Sequence, residues 1–551
     1  MSKIPVLVIA LVLFLGISDQ DPQHPPITKN QIAAAEQLIR LDFTDAERDS
    51  MLSNLEEQAG QYEQLREIPL SNSVPPALVF DPVPVGFKFG TERHPFKTSN
   101  PGKVRRPQHL EDAAFWSIGR LAELIRTRQV TSEELTRMYL GRLRKYGPKL
   151  ECVVTLTEDR AIKQARRADR EIAAGHYRGL LHGIPYGVKD LLAVRGYKTT
   201  WGAMPYKDQV IDEDATVVKK LEDAGAVLVA KLTLGALAWG DVWFGGKTRN
   251  PWNYNQGSSG SSAGPASATS AGLVAFSIGS ETLGSIVSPS TRCGVTGLRP
   301  TYGRVSRTGA MALSWTMDKL GPICRTVEDC AIVFNAIIGP DGTDQTLYDA
   351  PFNYDPAIDV RQLRVGFLRT EFDSARFNQD NNNAVLQALR NLGIKLIPIE
   401  LPHRYDVGSI SFILSAEAAA AFDDLTRSGN DDLLVRQIKN AWPNSFRSSR
   451  FIPAVEYIQA NRVRYLIIQD MQKLMNTVDV YVTPTFGGSN LLLTNLTGNP
   501  CVVVPDGFTK EGSPTSITFV GQLFGEAKLL AVARRYQEAT GFHLKHPTLQ
   551  Q

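Results

Sequence analysis

Beyond residue 110 the apolar positions fall into two patterns that take turns along the chain. Leu135, Met138, Tyr139 and Leu143 recur at helical spacing, and Thr131 with Glu134 forms a capping box ahead of them, so a helix is predicted there. In DATVVKKLEDAGAVLVAKL a second helical pattern stops near Gly225 and gives way to an apolar run from Ala226 to Ala230, the mark of a buried strand. NNNAVLQALRNLGIKLIPIELP repeats that unit with Gly393 at the break, and VDVYVTPT adds another short buried strand. Helices alternating with wholly apolar strands predict an α/β domain whose sheet is mostly covered.

The first hundred residues follow other rules. Residues 28–70 hold two helical patterns: the first spaces Ile32, Leu38 and Ile39, and the second opens at Thr44 with acids in its first turn. From Ser71 to Pro107 a Pro-rich run lacks helical periodicity, which suits either an extended segment lying on another surface or a plain flexible linker. At the start, Lys3 precedes an uncharged apolar run from Ile4 to Ile17, shorter than the ~20 residues that span a bilayer. Small residues at 16–18 then offer a cleavage site near Asp19. The expectation is a signal peptide at 1–18 and a secreted or periplasmic protein, the alternative being an uncleaved membrane anchor. The predicted organisation is therefore signal peptide (1–18), helical pair with extended segment (19–107) and catalytic domain (108–551).

Charge and composition exclude more than they assign. With 60 Lys and Arg against 57 Asp and Glu, the 551 residues carry a formal charge of +3, which implies no nucleic-acid or anionic-membrane partner. The 43% hydrophobic content is enough for a large core. Cys152, Cys293, Cys324, Cys330 and Cys501 are too few and too scattered for a disulfide framework, and the Cys324–Cys330 spacing is no familiar metal-ligand pattern. No phosphate-binding loop, zinc or calcium motif occurs, so neither metal nor cofactor is expected. The sequon at Asn495 falls in sequence that reads as folded, and glycosylation is not expected there.

Two stretches carry candidate chemistry. In LHGIPYGVKDLLAV, Lys189 follows the strand-like run Ile184 to Val188 and precedes an apolar run from Leu191, so it should be largely buried. Such a lysine either snorkels or pairs with Asp190, or it is held neutral by desolvation and serves as a base. The second stretch, GSSGSSAGPASATSAG at 257–272, has the composition of a flexible linker but runs into Leu273, Val274, Ala275, Phe276 and Ile278, then into TLGSI. Glycines beside a serine let backbone N–H groups converge on a developing oxyanion, so Ser285 is a candidate nucleophile; a turn serine is the plainer alternative. A Ser-His-Asp triad is disfavoured, because none of the eight histidines has a catalytic context and no G-x-S-x-G elbow is followed by suitable partners.

Taken in order, GIPYGVKD, GSSGSSAGPASATSAG, GSETLGSI and CGVTGLRPTYGRVSR resemble the amidase signature family of serine hydrolases. GPICRTVEDCAIVFNAI, NLTGNPCVVVPDGF and VGQLFGEAKLLAVARRYQEATGFH extend the likeness over roughly 112–545. It implies a mixed central sheet with helices on both faces and a Ser-cisSer-Lys catalytic set, with Ser285 as nucleophile and Lys189 as base. For the bridging serine the pairs Ser258-Ser259 and Ser261-Ser262 compete. The family spacing of 24 residues to the nucleophile selects Ser261, which also aligns Gly264 and Gly272 with family glycines. Ser262 would then be a supporting hydrogen-bond partner. The implied oxyanion hole is the backbone of Thr282, Leu283, Gly284 and Ser285.

The same resemblance implies an amidase that hydrolyses a linear amide C–N bond of a small-molecule substrate through an acyl-enzyme, and the predicted signal peptide makes it an exported one. The alternatives are an amidotransferase component of the A type that uses glutamine, an esterase or carbamate hydrolase, and a scaffold with a degenerate site. No nucleic-acid partner and no membrane insertion after signal removal are expected, and a homodimer is allowed. Leu283 stands where glycine is common and Val287 where many members carry arginine, so the acyl pocket should differ in shape and polarity. KLTLGALAWG lacks the acidic residue usual in the A components of tRNA amidotransferases. Pocket-lining residues are expected within 200–250, 310–320 and 405–460. The helical pair with its Pro-rich run resembles the small C-type partner proteins of amidotransferase-like amidases, fused here in cis.

Overall fold

The computed structural model describes residues 25–374 and 378–549, so the predicted signal peptide at 1–18 lies outside the described residues. The chain divides into two units, Met1–Leu70 and Ser71–Gln551. Within the first, α1 (Lys29–Ile39) and α2 (Asp45–Arg66) each start with a reciprocal capping box, Thr28 with Gln31 and Thr44 with Glu47. Arg48 of α2 reaches the buried Glu36 of α1 at 2.7 Å, which holds that carboxyl below its usual range.

The second unit is built on one mixed sheet of eleven strands. In chain order these are β1 (Val153–Leu156), β2 (Pro185–Lys189), β3 (Val227–Leu232), β4 (Phe276–Glu281), β5 (Thr296–Arg299), β6 (Lys319–Cys324), β7 (Val365–Leu368), β8 (Leu396–Ile399), β9 (Val480–Pro484), β10 (Cys501–Phe508) and β11 (Pro514–Gly521). Their spatial order is β1-β3-β2-β4-β6-β5-β10-β11-β9-β7-β8. Every residue of β2, β3, β4, β6 and β11 is buried, which requires cover on both faces and explains why these strands read as continuous apolar or small-residue runs.

The predicted helix–strand units take shape here with small shifts of boundary. α3 (Ser132–Leu150) begins at the Thr131–Glu134 capping box. α4 (Thr216–Asp223) ends ahead of Gly225, whose φ of 83° turns the chain into β3. The stretch with linker-like composition is neither exposed nor irregular in its second half, which forms α5 (Ala263–Ser270), all eight residues of which are buried. Small side chains let α5 pack against backbone: a Cβ on Gly264 would run into Thr233 and Cys152. Further along the chain come the helices α6 (Val287–Cys293), α7 (Gln379–Asn391), α8 (Phe412–Ala421), α9 (Ala454–Met475) and α10 (Asn490–Thr497). All five cysteines are buried thiols.

The Pro-rich segment from Ser71 belongs to this second unit and lies against it without helix or strand. Phe80 packs edge-on against Tyr302 with ring centres 5.1 Å apart, and Phe89 packs on Phe524 at 4.7 Å. Ser99 bonds Glu328 through its backbone N–H at 2.9 Å, and Arg106 pairs with Glu134 at 2.9 Å. Through these contacts the segment runs along the unit to which it belongs. No helix among the described residues is long and apolar enough to cross a membrane.

Candidate active site

β2 and β4 run parallel and adjacent, with Tyr186, Gly187 and Val188 in register with Phe276, Ser277 and Ile278. Their carboxyl ends therefore emerge side by side, which is where open α/β sheets place reactive groups. Lys189 closes β2, and Ser280 and Glu281 close β4. Lys189 is fully buried and forms no ion pair among the described residues. The adjacent Asp190, one candidate partner in the sequence, instead pairs with Lys231 at 2.9 Å, both side chains being inaccessible.

Hydroxyls surround the Lys189 amine instead. Nζ lies 2.8 Å from Ser261 Oγ, 3.1 Å from Ser262 Oγ, 2.8 Å from Ser280 Oγ and 3.4 Å from Ser280 O. Ser262 donates its own proton to Ser280 O at 3.0 Å and accepts from Ser280 N–H at 3.1 Å, so toward the lysine it can only accept. A neutral amine has two N–H bonds and one lone pair for these oxygens; Ser262 can only accept, so the lone pair falls to the hydroxyl of Ser261 or of Ser280. Burial pushes the Lys189 ammonium down from 10.5 to about 7, and the charges of Asp318 and Glu281 offset this only in part. Gly279 lets the serine pair come this close, since a Cβ there would sit 2.8 Å from Ser262 Oγ.

Between the two serine pairs the geometry separates clearly. The Gly260–Ser261 peptide is cis, and Ser261 faces Lys189. Ser258 instead donates to the neighbouring Ser259 O at 2.8 Å, while Ser259 N–H donates to Asp241 at 3.1 Å, and neither bonds the lysine. Ser285 sits on the turn after β4, 8% exposed, and its carbonyl accepts from Ser262 N–H at 3.1 Å, which ties that turn to the Ser261 segment.

That turn is organised by three groups that stand in separate motifs of the sequence, Glu281, Arg299 and Asn495. Glu281 Oε2 accepts from the N–H groups of Ile286 and Val287 at 2.8 and 3.0 Å, so the carboxylate caps α6 from inside the protein. Its Oε1 accepts from Arg299 at 2.8 Å and from Asn495 at 2.9 Å, and the Arg299 guanidinium holds the carboxyl down at about 2 against the effect of burial. The N–H groups of Leu283, Gly284 and Ser285 have no acceptor among the described residues. Gly284, at φ 81°, makes the turn that leaves them free. Thr282 donates from Oγ1 to Asp318 at 2.6 Å, and Asp318 also accepts from Leu313 and Ser314 N–H.

The two departures from the family pattern land in different places. Leu283 is 38% exposed on the turn, whereas Val287 is fully buried in the core with Leu493 and Val503, so its side chain joins the packing behind the turn. The buried Asn495 serves Glu281, and the sequon it begins lies inside α10. A signal for Glu281 is present in the sequence: a lone acid between a small-residue strand and a Gly-Ser turn has no solvent to face.

A strongly buried lysine among serines, beside a turn with unengaged N–H groups, is the arrangement of a serine hydrolase that works without histidine. The Amidase family model matches residues 134–493, and the chain belongs to the amidase signature family, whose members act on amide C–N bonds. The A component of the glutamyl-tRNA(Gln) amidotransferase from Desulfatibacillum aliphaticivorans is 33% identical over 483 residues, covering 79% of this chain and 99% of the relative. The component of the same name from Roseiflexus sp. (strain RS-1) is 35% identical over 468 residues, covering 76% and 96%. Among solved structures, the native peptide amidase from Stenotrophomonas maltophilia superposes with a TM-score of 0.72 at 29% identity, covering 80% of this chain and 99% of that one. An amidase family protein from Bacillus anthracis str. Ames gives 0.70 at 27% identity, covering 80% and 93%.

Arg299→Met tests the clamp on the turn. Leaving Glu281 charged and buried without its guanidinium should cost about 3–5 kcal/mol of stability, read from the midpoint of urea unfolding. A loss below about 1 kcal/mol would mean that Arg299 is not what holds the carboxylate.

Proposed function

We propose that the protein hydrolyses amide C–N bonds through an acyl-enzyme on Ser285. The observation that carries this reading is the Lys189 amine, fully buried, without an ion pair among the described residues and hydrogen-bonded to Ser261 at 2.8 Å, where burial pushes its pKa down to about 7. Neutral Lys189 takes the proton of Ser261 as Ser261 takes that of Ser285, and Ser285 Oγ attacks the amide carbonyl. The tetrahedral oxyanion is met by backbone N–H groups of the turn from Thr282 to Ser285, which need no rearrangement to donate. The proton returns through Ser261 to the departing nitrogen, the C–N bond breaks, and water attacks the resulting ester by the same relay to release the acid. In this reading Ser262 accepts one of the lysine's N–H bonds and Ser280 the other, which keeps the lone pair aimed at Ser261.

Two settings for this step each have support. The curated relatives, about one third identical along nearly their whole length, favour an amidotransferase component of the A type, in which glutamine supplies the carboxamide and ammonia passes to a partner. Similarity to a peptide amidase, and a turn that presents Leu283 where glycine is common, support a free-standing hydrolase of a linear amide. Hydrolysis of esters or carbamates would follow the same route. Export is part of the free-standing reading and rests on the apolar run from Ile4 to Ile17.

Three measurements test these statements. Ser285→Ala should lower turnover of a panel of glutamine, peptide amides, aryl amides and carbamates roughly 10⁴-fold or more while the circular dichroism spectrum stays unchanged. Retained activity would end the assignment, and glutaminase turnover that depends on co-purified partner proteins would select the amidotransferase setting. Because the lysine acts as a base only after losing its proton, acylation should rise with pH through about 7 and level off above it; a flat profile from 5 to 9 would remove Lys189 from the role. Cell fractionation of the full-length chain should find a shortened protein outside the cytoplasm, and a full-length cytoplasmic protein would refute export.

A further inference from the structure

We propose that the extended segment at residues 71–80 is a positioning element for the catalytic turn, with Asn72 as the positioning residue. Asn72 donates from Nδ2 to Ala312 O at 2.8 Å and accepts from Ala312 N–H through Oδ1 at 2.7 Å. This two-point clamp does for an irregular loop what a neighbouring strand does for a sheet edge. The same Nδ2 reaches Ala421 O at 3.3 Å, at the end of α8, so the clamp is itself anchored. The next two residues of the loop, Leu313 and Ser314, give their N–H groups to Asp318 Oδ2 at 2.8 and 3.0 Å. Asp318 Oδ1 in turn accepts from Thr282 Oγ1 at 2.6 Å, at the start of the turn that carries Ser285. An unbroken path of hydrogen bonds and adjacent residues thus joins Asn72 to that turn.

A second grip acts on the other limb of the same loop. The Arg464 guanidinium of α9 lies 3.5 Å over the Phe80 ring while donating to Thr316 Oγ1 at 2.8 Å and Thr316 O at 2.9 Å. Tyr302, which meets Phe80 edge-on, donates from its hydroxyl to Trp315 O at 2.7 Å. Segment 71–80 therefore reaches both limbs of loop 311–318, by a direct bond at Ala312 and through Arg464 and Tyr302 at Thr316 and Trp315. Without Asn72 the Ala312 N–H and C=O lose their partners, and the limb that gives its N–H groups to Asp318 keeps Met311 N–H on Leu191 O at 3.0 Å and Ser314 Oγ on Glu417 at 2.6 Å but loses its hold between them. Small displacements of a positioned reacting group are costly, which is how a residue that acts only through the loop governs the rate.

The proposal rests on the acyl-enzyme reading for its kinetic arm and on hydrogen exchange for its structural arm. Asn72→Ala in the full chain should lower kcat roughly tenfold with KM changed less than about twofold, and should slow fluorophosphonate labelling of Ser285 in parallel. Amide exchange at Leu313 and Ser314 should quicken roughly tenfold. Phe89→Ala serves as the comparison, because Phe89 packs on Phe524 and Tyr348 and not on the loop; it should lower the unfolding midpoint while leaving labelling and loop exchange unchanged. Wild-type exchange at 313–314 in Asn72→Ala, or equal slowing in both variants, overturns the proposal. Activity surviving in Ser285→Ala would instead overturn the acyl-enzyme reading, and the exchange comparison would still decide the role of Asn72.

Discussion

The carboxylate of Glu281 is the constraint around which the site is arranged. It stands at the end of β4, out of reach of water, and its two oxygens accept four hydrogen bonds, two from the backbone entering α6 and one each from Arg299 and Asn495. A buried ion pair adds little to stability beyond what an apolar pair would, because desolvating two charges cancels most of their attraction. What it supplies is geometry. By taking the N–H groups of Ile286 and Val287 and leaving those of Leu283, Gly284 and Ser285 without acceptors, it decides which part of the backbone stays free to stabilise an anion.

The distribution of charge around the lysines follows the same logic. Asp190 is committed to Lys231, Glu281 to Arg299, and Asp318 to the donors of Thr282, Leu313 and Ser314, so none of these three acids forms an ion pair with Lys189. An ion pair would hold the ammonium in its charged form; a ring of serine oxygens in a dry site does not. The fold therefore favours the neutral amine by denying a buried lysine the carboxylate it would otherwise take. Lys319, at the start of the neighbouring strand β6 and also buried, is likewise pushed well below its ordinary value, but its Nζ donates to the Met317 carbonyl and it faces none of the serines. Burial alone does not make a lysine catalytic; what lies within reach of its lone pair does.

Membership of the amidase signature family explains why the strands, the serine segment and the turn can be read together, since the family likeness covers the body of the chain. The extended segment before residue 107 belongs to the same unit as the sheet and the turn.

Periodicity is enough to identify α3, α4 with β3, and α7 with β8, because amphipathic spacing and fully apolar strands are local properties of sequence. The 24-residue family spacing likewise places Ser261 and Ser285, and the apolar flanks of Lys189 announce its burial. Local pattern cannot say which acid reaches which base. Asp190 adjoins Lys189 in sequence yet points to Lys231, while Arg299, 18 residues beyond Glu281, and Asn495, 214 beyond, converge on one carboxylate. Ser280 lies inside the GSETLGSI motif and Asp318 in none, yet neither role can be read from position, because both arise from strand register and loop closure. The sequence by itself determined which segments would be buried and which residues could do chemistry. Only the tertiary structure decided their pairing, because hydrogen bonds and charges act over a few ångströms of space and not along the chain.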